Sequence, residues 1–256
     1  MEGHHVPTLA VDSMQVYREL PVITNQARRR PAELVGIVSV TKEWTVAHHR
    51  MRAEEIIVRE NTFVLDAGTG MYLNAVLLDF PLAPRVSPSL RQRAQEVAAD
   101  EPNPRRAARA KELELAGAEA RGSIWQGNLR YDTSIVYLRP ERSTIDAAID
   151  ERSRRIARDG LGEAERLRDL ASAGAGISPQ VMESVGVREL SRYLSGTLTL
   201  KQAQDHIATR TRRLARRQMR WFDKLAHVLE GRARITVLHI PYRETNRHSM
   251  HDIIGL

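Results

Sequence analysis

Asp12-Ser13-Met14-Gln15 places a carboxylate, a hydroxyl and a primary amide within four residues, directly after the apolar run Leu9-Ala10-Val11. A carboxylate at the carboxyl end of a buried strand can take a proton or bind a cation, and Ser13 and Gln15 can donate hydrogen bonds to a ligand. The plainer use of Asp12 or Ser13 is to cap the turn that follows. A second group, Gly68-Thr69-Gly70, stands between Phe63-Val64-Leu65-Asp66 and the segment Met71 to Leu77. Such a turn can bring backbone N–H groups and one hydroxyl to a sheet edge where phosphorylated ligands sit, or its glycines serve only the bend. The third group is a run of arginines: Arg210, Arg212, Arg213, Arg216, Arg217 and Arg220, with no acidic residue among them. They repel one another unless solvent, acids elsewhere or a polyanion neutralises them, and guanidinium forks match phosphate oxygens.

These groups need elements to hold them. Leu9 to Val11 and Phe63 to Leu65 read as short buried strands, Trp44 to Val58 and Met71 to Leu77 as helices, and Leu34 to Val40 as a strand or an extended connection. That order is an α/β pattern. Pro81, Pro84 and Pro88 end this stretch, and Arg28-Arg29-Arg30 suits a solvated surface or a phosphate-facing edge. Ser89 to Ala99 and Arg105 to Ala120 are charged helical segments with little apolar surface, so they read as peripheral. Ser134 to Leu138 is a further strand. Ser143 or Thr144 can cap a helix running to about Asp159, and Gly160 and Gly162 break the pattern before more helix. The last helix starts at Leu200 and carries an inward stripe of Ile207, Thr211, Leu214, Gln218, Trp221 and Leu225. The expected organisation is an α/β core over residues 1–138 with a shortened helical insertion around 89–120, then a mostly helical lobe over 139–230. A tail over 231–256 includes the possible strand RITVLHI.

Composition narrows the chemistry. With 256 residues the chain can bury a large core, and 39 Lys and Arg against 32 Asp and Glu make it basic, which favours an anionic partner such as nucleic acid. The absence of cysteine excludes disulfides, thiolate catalysis and cysteine metal sites, and fits a cytoplasmic protein. No apolar window suits a membrane span or a signal peptide. His4-His5, His48-His49, His239, His248 and His251 lack the spacing of a zinc site, and no G-x-S-x-G marks a serine hydrolase.

Set side by side, six segments resemble the tRNA dimethylallyltransferases in the same order. They are DSMQVYR from Asp12, LPVITN from Leu20, AGTGMYL from Ala67, RDGLGEAERLRDL from Arg158, ESVGVRELSRYL from Glu183 with Gly196, and TRTRRLARRQMRWF from Thr209. The resemblance implies an α/β, P-loop nucleotide-kinase-like parallel sheet with a helical C-terminal lobe. It implies transfer of a dimethylallyl group from dimethylallyl diphosphate to N6 of adenosine 37 in tRNA. It places Asp12 as the general base, with Ser13, Met14 and Gln15 at the target nucleotide. Gly68, Thr69, Gly70 and Arg216 fall at the diphosphate, with Thr69 also catalytic, and Arg210, Arg213 and Arg217 at the RNA. Mg²⁺ at the diphosphate is part of the same expectation, with no ligand among these residues assigned to it.

The chain departs from the family pattern in four places. The eleven residues before Asp12 hold no lysine and no G-x-x-x-x-G-K, so an N-terminally truncated sheet is expected unless another segment or chain supplies its first strand. The link from Arg91 to Arg105 is short for the insertion that embraces the anticodon stem-loop. Asp66-Ala67 stands where Gly-Gly is usual, and the stretch before Leu34 lacks a His-His pair. The alternative to a working transferase is a catalytically inactive RNA- or protein-binding remnant.

Overall fold

A computed structural model describes residues 6–60, 62–84, 86–102, 104–117 and 123–238; His4, His5, His239, His248 and His251 lie outside them. The chain divides into two compact units, one of Met1–Val76 with Tyr131–Leu256 and one of Leu77–Arg130.

In the first unit, β1 (Thr8–Val11) and β2 (Val64–Ala67) run parallel, with Leu9 opposite Leu65 and Val11 opposite Ala67. Parallel neighbours need a long crossover, and α1 (Val46–Ile57) forms its helical part, opened by Thr45, whose hydroxyl accepts from the His48 N–H. Leu34 to Val40 is not a strand. Leu34 and Gly36 both take left-handed backbone, φ 65° and 63°, which interrupts a pleat twice within three residues, and only single bridges form, Leu9 to Glu33 and Tyr17 to Val38. Leu9, Leu34, Ala53, Ile57 and Val76 make the core beneath β1, with Phe63 and Leu65 packed against it. Each fully buried Leu or Ile contributes roughly 1.5–3 kcal/mol. Three of the four β1 residues are buried, whereas all four β2 residues are half-buried; β1 is also bridged at Leu9 to Glu33. The turn at 68–69 leads into α2 (Gly70–Leu77).

The second unit holds β3 (Leu78–Asp79), α3 (Pro88–Val97), α4 (Pro104–Leu115) and β4 (Asn128–Leu129), with β3 and β4 antiparallel. Ser87 caps α3 by accepting from the Leu90 N–H, and Pro88 sits where a helix needs no donor. The second helix stops at Leu115, with Gly117 left-handed just beyond it; the expected end at Ala120 lies outside the described residues.

Back in the first unit, β5 (Ser134–Leu138) pairs in parallel with β6 (Arg234–Leu238), so the apolar run near the tail has a partner. Between them lie α5 (Arg142–Asp159), α6 (Leu161–Ser172), α7 (Pro179–Met182), α8 (Val187–Leu194) and α9 (Leu200–Leu229). Glu141, not Ser143 or Thr144, takes the cap position of α5. Thr199 and Gln202 form a reciprocal capping box that opens α9, which packs along α5 and α8. Its stripe faces inward as the spacing predicts: Ile207, Thr211 and Leu225 are buried, and Leu214, Gln218 and Trp221 half-buried. The whole is an α/β fold with small paired strands and a C-terminal helical lobe. Among the described residues no helix is long and apolar enough to cross a membrane.

Candidate active site

The site begins with one carbonyl. Val11, the last residue of β1, accepts hydrogen bonds from the N–H groups of both Gly68 and Thr69, each at 3.1 Å. These bonds fasten the turn after β2 to the end of β1, and they take up the two N–H groups that the composition of the turn offered to an anion. Asp12 comes next. Its Oδ1 accepts from the backbone N–H of Met14 at 2.7 Å and of Gln15 at 3.1 Å, so the carboxylate does cap its own turn. Its Oδ2 lies 3.3 Å from the Thr69 hydroxyl, which also accepts from the Ser13 N–H at 3.1 Å and lies 3.4 Å from Ser13 Oγ. A carboxylate offers about four lone-pair positions. Three are engaged, and Oδ2 retains one for an incoming N–H.

Neither glycine of the turn has positive φ. What requires them is close approach: a β-carbon on Gly68 would stand 2.6 Å from Asp12 Oδ2, and one on Gly70 would meet the Trp221 ring. Gln218 donates its amide to the Gly68 carbonyl at 2.6 Å, and Trp221 Nε1 donates to Asn74 Oδ1 at 3.2 Å, so α9 is pinned to the turn and to α2. One turn further on, Tyr137 donates to Asp223, and Arg139 pairs with the same carboxylate at 2.9 Å. Arg139 and, after it, the tyrosine hydroxyl hold the Asp223 carboxyl below the usual range, while burial and Asp223 push Tyr137 up to about 12.

Gln15 is held at both ends of its amide. Its Nε2 donates to the Asn25 carbonyl at 3.2 Å, and its Oε1 accepts from Arg28, which also pairs with Asp66. Arg28 is thus the half-buried member of a run that suggested only solvent or phosphate, and Asp66 has a cation to neutralise. Gln180 Nε2 reaches the Ser13 carbonyl at 3.3 Å and lies 3.9 Å from Met14 Sδ. Gln180 escaped the sequence reading because SPQ looks like loop. Asn74 also escaped it, although a fully buried amide inside the apolar stretch GMYLNAVL was a visible signal.

The six arginines divide into two sets. Arg210 pairs with Glu189 at 2.6 Å and donates to the Glu183 carbonyl, and Arg212 pairs with Asp146 and Asp150. Arg213, Arg216, Arg217 and Arg220 are exposed, and spacings of three, one and three put them on one face of α9. No ion pair among the described residues neutralises them, and no hydrogen bond joins them to the Asp12–Thr69 cluster. Arg217 and Arg220 directly precede Gln218 and Trp221, the two residues that fasten α9 to the turn.

His49 is a core residue. It stacks on Tyr72 with ring centroids 5.1 Å apart, its Nδ1 accepts from Trp44 Nε1 at 3.3 Å, and burial lowers its pKa to about 4. A divalent cation finds no ready seat. Among the described residues no three His, Asp or Glu side chains cluster to hold a metal, and Asp12 stands as a single carboxylate already carrying three hydrogen bonds.

Comparison with known proteins places this geometry in context. The family model described as IPP transferase matches residues 15–115 and 97–225. A tRNA dimethylallyltransferase of Rubrobacter xylanophilus is 60% identical over 259 residues, covering 99% of this chain and 89% of that protein. The tRNA dimethylallyltransferase 1 of Citrifermentans bemidjiense is 31% identical over 244 residues, covering 83% and 79%. Among solved structures, the full-length tRNA isopentenylpyrophosphate transferase of Bacillus halodurans aligns with a TM-score of 0.66 at 25% identity, over 98% of this chain and 87% of that one.

Proposed function

We propose a reaction from one premise, that the chain belongs to the IPP transferase family: it transfers a dimethylallyl group from dimethylallyl diphosphate to N6 of adenosine 37 in tRNA. The observation that carries the proposal is the Asp12–Thr69 pair at the end of two parallel strands. The N6 amine attacks C1 of the dimethylallyl group, the C1–oxygen bond breaks, and diphosphate leaves with the bonding electrons. The N6 proton passes to Asp12 Oδ2, the oxygen with an open lone pair. Thr69 orients that carboxylate, and its hydroxyl can turn to a diphosphate oxygen as negative charge gathers there. The exposed face of α9 supplies positive charge, Arg213 and Arg217 to RNA phosphates and Arg216 to the diphosphate. The target base must leave its stack to reach Asp12.

One observation favours a second reading. The Gly68 and Thr69 N–H groups both bind Val11, so this turn offers a diphosphate fewer donors than its composition suggests. A chain that grips RNA through α9 without transferring a prenyl group would fit that arrangement. The deciding experiment supplies labelled dimethylallyl diphosphate, Mg²⁺ and an unmodified tRNA with adenosine at positions 36 and 37. Label on the adenosine is the expected result. A folded protein that shifts the tRNA but leaves it unlabelled would overturn transfer and establish the binding remnant.

A further inference from the structure

Glu163 lies in the first turn of α6, only 2% exposed, and its two oxygens accept from the backbone N–H groups of Val22 at 2.7 Å and Ile23 at 2.9 Å. Residues 20–26 form a single helical turn, closed by bonds from the Asn25 N–H to the Val22 carbonyl and from the Gln26 N–H to the Pro21 carbonyl, with Asn25 left-handed at φ 58°. The helical lobe therefore caps the open N–H groups of a turn that belongs to another part of the chain. It grips the same turn twice more. Ile23 sits against Gly160 and Gly186, where added β-carbons would come within 2.9 and 2.8 Å of it, and Arg155 donates to Asn25 Oδ1.

The far end of this turn is the Asn25 carbonyl, which holds the Gln15 amide at 3.2 Å while Arg28 holds its oxygen. With both ends bound, a flip would set the amide oxygen against the Asn25 carbonyl and the NH₂ against Arg28, and one N–H and one lone pair of the amide remain unengaged. That pair matches the N6 and N7 edge of an adenine.

We propose that Glu163 is a positioning residue for nucleobase recognition: with Arg155, it fixes the 20–26 turn and through Asn25 sets the orientation in which Gln15 meets an adenine. The proposal rests on the tRNA reading above for its ligand, but the relay from Glu163 to Gln15 exists in the protein alone. Two measurements separate these parts. In the RNA-free protein, nuclear magnetic resonance should show a Gln15 side-chain amide in slow exchange, and Glu163→Gln, which puts an NH₂ against one of the two N–H donors, should speed that exchange by about tenfold or more. With an anticodon stem-loop, the unaltered chain should favour adenosine over guanosine at position 37 by about tenfold, and Glu163→Gln should reduce the preference to about twofold. The salt dependence of binding should stay unchanged, since phosphate contacts lie elsewhere. Should Glu163→Gln fail to fold, Arg155→Gln, which leaves the buried carboxylate in place, is expected to move both readouts in the same direction. Folded variants with unchanged Gln15 exchange and unchanged base preference would overturn the proposal. A chain that ignores the stem-loop while its Gln15 exchange responds to Glu163→Gln would overturn the tRNA reading and leave the relay standing.

Discussion

Gly70 and Trp221 compete for one space: a β-carbon on Gly70 would stand 2.2 Å from the indole Cδ1. The ring cannot yield easily, because its Nε1 is hydrogen-bonded to buried Asn74. Gly70→Ala should therefore destabilise the fold by about 1–3 kcal/mol as α9 is pushed from the turn. Thermal melts of Gly70→Ala, Trp221→Ala and the double variant test this. The two effects should be strongly non-additive, with the double variant no worse than Trp221→Ala alone. Additive losses would mean that the two residues do not share this contact.

That contact also marks how far the sequence could be read. The spacing of Ile207, Thr211, Leu214, Gln218, Trp221 and Leu225 shows that one face of α9 turns inward, because helical period is a local property. Nothing local says that Gln218 and Trp221 land on Gly68 and Gly70, so the glycines read as bend-makers or a phosphate cradle, and the close approach of Asp12 and Trp221 that also requires them is not visible in the sequence. The arginines fail in the same way. Six adjacent cations look alike in sequence, and only the positions of Glu189, Asp146 and Asp150 separate the two structural ones from the four on the exposed face. Leu34 to Val40 reads as a strand or an extended connection, and the structure settles on the connection, since a leucine in left-handed backbone is held there by surroundings that no propensity records.

Thr69 has two tasks, accepting from the Ser13 N–H and reaching Asp12 Oδ2. Thr69→Ser keeps the hydroxyl, while Thr69→Val keeps the shape and removes both bonds. If the hydroxyl orients the base and meets leaving-group charge, Thr69→Val should lower prenyl transfer by about 100-fold. Thr69→Ser should stay within about tenfold of the parent. Single-turnover transfer to tRNA with each variant checks this, and equal rates for Ser and Val would remove the hydroxyl from the mechanism.

Arg210 and Arg217 should fail in opposite ways. Arg210→Ala leaves Glu189, 3% exposed, as a buried carboxylate satisfied among the described residues by the Gly186 N–H alone, and should cost about 3–5 kcal/mol of stability. Arg217→Ala removes an exposed side chain and should leave the melting temperature within about 2 °C of the parent. Its effect should appear in tRNA binding, as a weaker affinity and a salt slope reduced by about one. Denaturant unfolding and binding titrations over a range of salt distinguish the two. A stable Arg210→Ala, or an Arg217→Ala with the parent's salt slope, would contradict the division of the stripe.

His49 makes stability depend on pH through a group far from any charge partner of its own. Burial holds the folded imidazole neutral down to about pH 4, whereas in the unfolded chain it takes a proton near its ordinary value of 6.5. Between those values the unfolded state binds more protons, so acid favours unfolding. The contribution is fully present above about pH 6.5 and is lost as the pH falls towards 4, amounting to on the order of 3 kcal/mol over that window. His49→Phe keeps an aromatic ring on Tyr72 but leaves Trp44 Nε1 without its acceptor, so it should be less stable than the parent at neutral pH. Its stability should then fall less steeply with acid, and the difference between the two proteins should shrink or reverse by pH 5. Urea unfolding of both proteins at pH 7.5, 6 and 5 measures this, and parallel losses would show that His49 takes up its proton as readily in the folded protein as in the unfolded chain.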